Sequence, residues 1–276
     1  MLRERDPWQN KVMPLNLFHV DAFTDQRFRG NPAAVCPLDR WLDDEALRAV
    51  AAENSLSETA YFVRQHDHYH LRWFTPKSEV NLCGHATLAS AFVLFTKLEP
   101  ERDIIRFATR SGMLTVRRHG DRLSMDFPAL PPWPSANPPA ELLEGLGPIP
   151  TMTSVLQVKD NYFVVYESED DVRAVSPNFA VLETLHPAGV AITAPGKHAD
   201  FVSRYFAPSY GIPEDPVTGS THCSLMPYWA ERLGKESLHA QQVSERGGEL
   251  WCELAGDRVI IKGKAVLTLQ GTLMIG

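Results

Sequence analysis

Apolar and polar residues begin to alternate at Leu15, and the stretch Leu15 to Phe23 predicts a β-strand. A turn signal at Arg29-Gly30-Asn31-Pro32 follows, and the apolar run Ala33 to Cys36 predicts a second short strand. From Asp43 the period changes. Leu47, Val50 and Ala51 fall at i, i+3 and i+4, with Asp43, Asp44 and Glu45 at the positive end of the helix they define, and the pattern fades near Asn54-Ser55. Thr59 to Val63 and His70 to Phe74 alternate again around a polar QHDH connector, which predicts a hairpin. Gly84-His85-Ala86-Thr87 then opens an almost wholly apolar run to Phe95, the mark of a helix buried on every side. Three more strands are predicted at Ile104 to Ala108, Met113 to Arg118 and Arg122 to Phe127.

Six prolines between Pro128 and Pro139 withdraw amide donors and block regular elements, so this stretch reads as an ordered, extended linker. Strands follow near Ser154 to Gln157, Tyr162 to Tyr166, Val190 to Thr193 and Phe201 to Phe206, with short helices near Ala140 to Glu144 and Phe179 to Leu185. Gly219-Ser220-Thr221-His222 begins a second apolar helix through Leu233, closed by Gly234, and four alternating strands complete the chain from Leu238. Both halves thus combine a strand-rich body, a glycine turn flanked by small hydroxyl or thiol residues, and one apolar helix starting at that turn. This points to an α+β fold built by internal duplication. The expected organisation is a loose extension over 1–13, an N-terminal lobe over 14–127, the linker over 128–139 and a C-terminal lobe over 140–276, its last strand free to return to the first lobe.

Composition narrows the function. The chain has 276 residues, 22% charged and 44% hydrophobic, which fits a globular protein and not a disordered one. Its 27 basic residues against 34 acidic ones give a net charge of −7, which argues against a grip on nucleic acid phosphates. No apolar run approaches the roughly 18 residues of a membrane span, and the first residues lack the apolar core of a secretory signal, so a cytoplasmic protein is expected. Cys36, Cys83, Cys223 and Cys252 are widely spaced with no CxxC, which suits reduced thiols. His66, His68 and His70 alternate but have no second cluster, and read as a polar turn; no metal is expected.

The starts of the two apolar helices are the candidate chemical sites, because helix N-termini expose unpaired amides and a partial positive charge suited to a carboxylate. Glu58 lies where a helix gives way to an apolar strand, and partial burial there is expected to raise its pKa toward the range useful for proton transfer. His85 reads as a cap, a buried imidazole or a ligand contact.

The segments Val20-Asp21-Ala22-Phe23-Thr24, Gly30-Asn31-Pro32-Ala33-Ala34-Val35, Ser57-Glu58-Thr59-Ala60, Phe74-Thr75-Pro76, Cys83-Gly84-His85-Ala86-Thr87-Leu88-Ala89 and Glu214-Asp215-Pro216-Val217-Thr218-Gly219-Ser220 resemble, in order, the phenazine-biosynthesis PhzF family. The resemblance implies a diaminopimelate-epimerase-like fold, two pseudo-symmetric lobes each wrapping a barrel-like sheet around a central helix, with the active site between them. It implies a cofactor-independent isomerase that moves a proton on a small carboxylate-bearing substrate, and a homodimer. The family's catalytic carboxylate falls on Glu58 and its partners on His85 and Asp215; Asn31, Gly84, Ala86, Thr218, Gly219 and Ser220 are the expected substrate contacts. The chain departs from the family at Asn81, where members often carry an acid. Related racemases use one cysteine per lobe, but Thr218 stands where the second would be, and a hydroxyl is too weak an acid for that role. A non-catalytic anion-binding protein, and a Cys83-dependent epimerase or acyl-transfer enzyme, are the competing readings.

Overall fold

The computed structural model describes residues 13–148 and 151–275. The expected loose extension falls almost wholly outside them. The N-terminal lobe contains β1 (Met13–Ala22), β2 (Asn31–Leu38), α1 (Asp44–Asn54), β3 (Thr59–Gln65), β4 (His68–Phe74), β5 (Glu79–Val80), α2 (Gly84–Val93), β6 (Ile104–Thr109), β7 (Gly112–His119) and β8 (Arg122–Pro128). The proline-rich stretch carries a short strand, β9 (Trp133–Pro134), and leads to α3 (Ala140–Leu146). The C-terminal lobe contains β10 (Met152–Val158), β11 (Asn161–Tyr166), α4 (Glu169–Ala174), α5 (Phe179–Glu183), β12 (Gly189–Pro195), β13 (Phe201–Ala207), β14 (Ile212–Asp215), α6 (Gly219–Leu233), β15 (Ser237–Gln242), β16 (Gly248–Ala255), β17 (Arg258–Gly263) and β18 (Ala265–Ile275).

The two lobes share one wiring. Strands β2 and β3 run parallel across α1, as β11 and β12 do across α4 and α5. Likewise β4 and β6 are parallel across α2, and β13 and β15 across α6. The lobes join through antiparallel β8 and β17, and each passes one strand to the other: β9 pairs with β10, and β18 pairs along the length of β1.

Burial explains which strands the simple alternation described. Thr59 to Val63 is buried throughout, because β3 has a helix on each face: α1 packs outside through Leu47, Val50 and Ala51, and α2 packs inside. A strand covered on both faces becomes a continuous buried run. Strand β17 has one covered face and alternates strictly. Helix α2 is the inner pillar of its lobe, with every residue except Gly84 and Phe92 buried.

Helix α6 contains Pro227, which cannot donate to the carbonyl of Cys223. The backbone amide of Leu130, in the proline-rich stretch, donates to that oxygen at 2.8 Å. The broken helix bond thereby becomes an anchor for the linker.

Phe23 fastens the waist of the molecule. Its amide donates to Lys264 O at 2.8 Å and its carbonyl accepts from Glu249 N at 2.9 Å, so one residue of the first lobe is clamped between two segments of the second. It adopts a left-handed φ of 63°, which a bulky side chain tolerates only when its surroundings over-determine it. The fully buried ring needs Gly263, where a Cβ would come within 2.4 Å of Cδ1. Gly30, with φ +65°, closes the following turn; a Cβ there would lie 2.2 Å from Ala22 O.

Strands β5, β9 and β14 and helix α4 went unpredicted. The capping box of Ser168 and Asp171 starts α4, and β14 carries Asp215. Helix α5 ends at Glu183, short of the expected Leu185. Among the described residues no helix is long and apolar enough to cross a membrane.

Phe23→Ala removes the ring at the waist and is expected to destabilise the fold by about 3–5 kcal/mol, read from the denaturant midpoint at unchanged m-value. A loss below about 1 kcal/mol would show that Phe23 does not fasten the lobes.

Candidate active site

The N-termini of α2 and α6 meet at the centre of the molecule. A Cβ built on Gly84 would sit 4.0 Å from the Cα of Gly219. Neither helix has a side-chain cap: Cys83 and Thr218 occupy the cap positions without accepting from the first turn. Two sets of first-turn amides, each with its share of helix dipole, therefore converge on one place.

Glu58 enters from the first lobe. Ser55 ends α1 in a left-handed conformation, and the carbonyl of Glu58 accepts from Ala34 N at 3.3 Å, which fixes the residue at the head of β3. Its Oε2 lies 3.2 Å from His85 Nε2 and is buried without a well-directed hydrogen bond. The Cys83 sulfur lies 3.5 Å from His85 Nδ1 and 3.9 Å from Nε2.

The expected rise in the Glu58 pKa is not what the site produces. Burial alone would raise it, but the contact and charge of His85, with Ser57 and Cys83, outweigh burial and hold the carboxyl below its ordinary range. For His85, burial acts to lower the pKa, and the neighbouring Cys83 sulfur and Glu58 carboxylate more than reverse it, so the imidazole charges well above its ordinary value. Burial and the Glu58 charge push the Cys83 thiol up. Burial and charge at the site thus favour an ionised Glu58 and a protonated Cys83, with the Glu58 carboxylate favouring the charged form of His85.

Asp215 faces this group from the second lobe. Asn31 Nδ2 donates to its Oδ1 at 2.7 Å and to Val217 O at 2.9 Å, and the Thr218 hydroxyl donates to its Oδ2 at 2.6 Å. Gln242 completes the network: Nε2 donates to Asp215 O at 2.7 Å, and Oε1 accepts from Thr218 N at 2.9 Å. Burial raises the Asp215 pKa, against the lowering influence of His85, Thr218 and Asn31. Behind the helix start, His222 contacts Thr218 O through Nδ1 at 2.8 Å; burial drives its pKa down to about 4, so the ring is neutral and Nδ1–H donates.

Glu58, His85 and Asp215 therefore converge, with Asn31, Gly84, Thr218 and Gly219 around them. Some expected substrate contacts have other work. The Thr218 amide and hydroxyl are committed to Gln242 and Asp215, and the Asn31 amide nitrogen to Asp215 and Val217, so both residues position Asp215. The buried Ala86 amide lies beside the Cys83 sulfur, and Ser220 is exposed. Cys83 also borders the Glu58–His85 pair. Gln242 escaped the sequence reading because a glutamine at a strand end carries no motif.

A family model described as a phenazine biosynthesis-like protein matches residues 20–271. The chain belongs to the phenazine biosynthesis-like family. An uncharacterized isomerase of Pseudomonas aeruginosa is 56% identical over 261 residues, covering 95% of this chain and 99% of that protein. The crystal structure of a PhzF-family protein from Enterococcus faecalis superposes with a TM-score of 0.90 at 42% identity, over 95% of this chain and 99% of the other. A Pseudomonas aeruginosa protein described as a predicted epimerase shares the fold at a TM-score of 0.72 and 19% identity, over 94% of this chain and 99% of that one. The two-lobed α+β architecture is thus that of the phenazine biosynthesis-like family, and the converging helix ends lie between its lobes.

In this phenazine biosynthesis-like chain, the Glu58–His85 pair contributes most stability between pH 4.5 and 6.5, the two ordinary pKa values. The contribution falls as pH drops through the lowered Glu58 value and as pH rises through the raised His85 value. The unfolding free-energy difference between wild type and Glu58→Gln should peak in that window; a difference that stays flat as pH rises well past 6.5 would contradict the pairing.

Proposed function

We propose that this chain is an isomerase that moves a proton on a small carboxylate-bearing molecule, with Glu58 as the acid/base and with no organic cofactor. One observation carries the reading: Glu58 Oε2 is buried, lacks a well-directed hydrogen bond, and sits 3.2 Å from His85 Nε2 where two uncapped helix ends meet. The isomerase class is supported by relatives at 43–56% identity that are named isomerases.

The chemistry follows from the charges. A carboxylate held ionised can take a proton from a carbon beside the substrate's carboxylate. The negative charge that develops there meets His85 and the unpaired amides of the α2 and α6 first turns, which are already oriented and need no rearrangement. As Glu58 becomes protonated, its neutral form is the acid that returns the proton to another position on the same face. Asp215, fixed by Asn31, Thr218 and Gln242, holds a donor group of the substrate. The raised pKa of the Cys83 thiol weighs against a nucleophilic or two-thiol mechanism.

Incubation with a panel of small carboxylates in deuterated water tests the assignment by mass spectrometry. Glu58→Gln is expected to slow deuterium incorporation by about 10²- to 10⁴-fold while ligand affinity is retained. Exchange at the wild-type rate in Glu58→Gln would remove Glu58 from the reaction. The acid limb of kcat/KM should fall below pH 4.5, the ordinary glutamate value, because the free protein holds Glu58 ionised.

A further inference from the structure

Glu58, Cys83 and His85 each offer one donor atom, and the three atoms lie within 4.8 Å of one another. Among the described residues they form the one such trio of histidine, cysteine or carboxylate side chains. We infer that this trio is a binding site for a thiophilic divalent cation of the Zn²⁺ type, and that the bound ion arrests the active site.

The donor set is the first argument. Thiolate sulfur, imidazole nitrogen and carboxylate oxygen together select borderline-soft ions over Mg²⁺ or Ca²⁺, which prefer all-oxygen surroundings. Geometry is the second. Zinc–ligand bonds of about 2.0–2.3 Å in a tetrahedron separate sulfur from nitrogen by about 3.5 Å and nitrogen from oxygen by about 3.3 Å. The structure has 3.9 Å between Cys83 Sγ and His85 Nε2, and 3.2 Å between His85 Nε2 and Glu58 Oε2. Because the sulfur lies nearer Nδ1, at 3.5 Å, the Cys83 side chain must turn toward Nε2 to bring the three donors around one ion. Rigidity is the third, since Cys83 and His85 sit at the start of a buried helix and Glu58 at the head of a buried strand.

Binding would replace the Glu58–His85 ion pair with two bonds to the metal, His85 Nε2 and the Cys83 thiol each releasing a proton to water as they bind. Three protein donors leave a fourth position, open to water or to a carboxylate lying between the helix ends. The ion would occupy the Glu58 oxygen that otherwise takes the substrate proton. Arrest therefore rests on the proposed role of Glu58, whereas binding itself does not.

The test uses tag-free, chelator-treated full-length protein titrated with ZnCl₂ by calorimetry and with CoCl₂ by absorption spectroscopy. One equivalent of each ion is expected to bind, the cobalt complex showing thiolate-to-metal charge transfer and tetrahedral d–d bands. Cys83→Ser should abolish the charge-transfer band, and Cys83→Ser and Glu58→Gln should each weaken Zn²⁺ binding at least about tenfold, with thermal melts reporting that both variants fold. A double change of the hairpin imidazoles, His66→Asn with His68→Asn, should leave binding intact. Absence of stoichiometric binding to wild type, absence of thiolate bands in its cobalt complex, or loss of binding in the double imidazole variant alone would overturn the site. If Zn²⁺ binds with the Cys83 signature but deuterium exchange continues at full rate, the metal site stands and the proton-transfer role of Glu58 falls. If Zn²⁺ does not bind while Glu58→Gln still stops exchange, the proton-transfer role stands and this inference falls.

Discussion

Two helix N-termini pointing at each other are an electrostatic liability, and the rest of the molecule is arranged around it. Each end carries about half a positive charge and a set of unpaired amides, and neither α2 nor α6 neutralises them with a capping side chain. One carboxylate approaches from each lobe, Glu58 beside α2 and Asp215 beside α6. They supply part of the missing negative charge, but both are held by other partners. The first-turn amides remain available to an anion that bridges the lobes. The chain's net charge of −7 does not decide the field here, which oriented backbone groups among buried side chains set.

The duplicated wiring makes what has diverged easy to see. Cys83-Gly84-His85 opens α2 where Thr218-Gly219-Ser220 opens α6. On the first side the cap thiol and the histidine gather around Glu58 and create an ionised pair. On the second side the cap hydroxyl, a far weaker acid, is spent on Asp215, with Asn31 crossing from the first lobe and Gln242 supporting from β15. A symmetric scaffold thereby gains one wall with a carboxylate, an imidazole and a thiol in contact and one wall built as a hydrogen-bonded network around Asp215.

Keeping those walls in register requires the lobes to be tied, and the ties lie in the backbone. Phe23 is bonded to Lys264 and Glu249, β18 runs along β1, β9 runs along β10, and Leu130 occupies the carbonyl that Pro227 leaves free in α6. The hydrophobic core is continuous across the waist, with Phe23, Leu88, Val217 and Leu225 in one cluster. The outer helices build separate small cores, α1 on the first lobe and α3, α4 and α5 on the second.

Local physics made much of this legible in the sequence. Apolar periodicity located α1, α2, α6 and most of the strands, since burial on one face or on all faces leaves its mark on neighbouring residues. Glycine after a small residue at two helix starts marked the candidate site, and the resemblance to the PhzF family is what assigned Glu58, His85 and Asp215 to it. Tertiary structure alone decided the rest. The sign of the Glu58 shift depends on His85 and Cys83, which lie far away in sequence, so burial at a strand border pointed the wrong way. Thr218 and Asn31 became supports for Asp215 because Gln242 and Asp215 reached them first, and a side chain's spare donors can be counted only when its partners are known. Pairing of β18 with β1 joins residues about as far apart as the chain allows, and Gly84 meets Gly219 across the two halves. Periodicity records which face of an element is buried; it does not record what it is buried against.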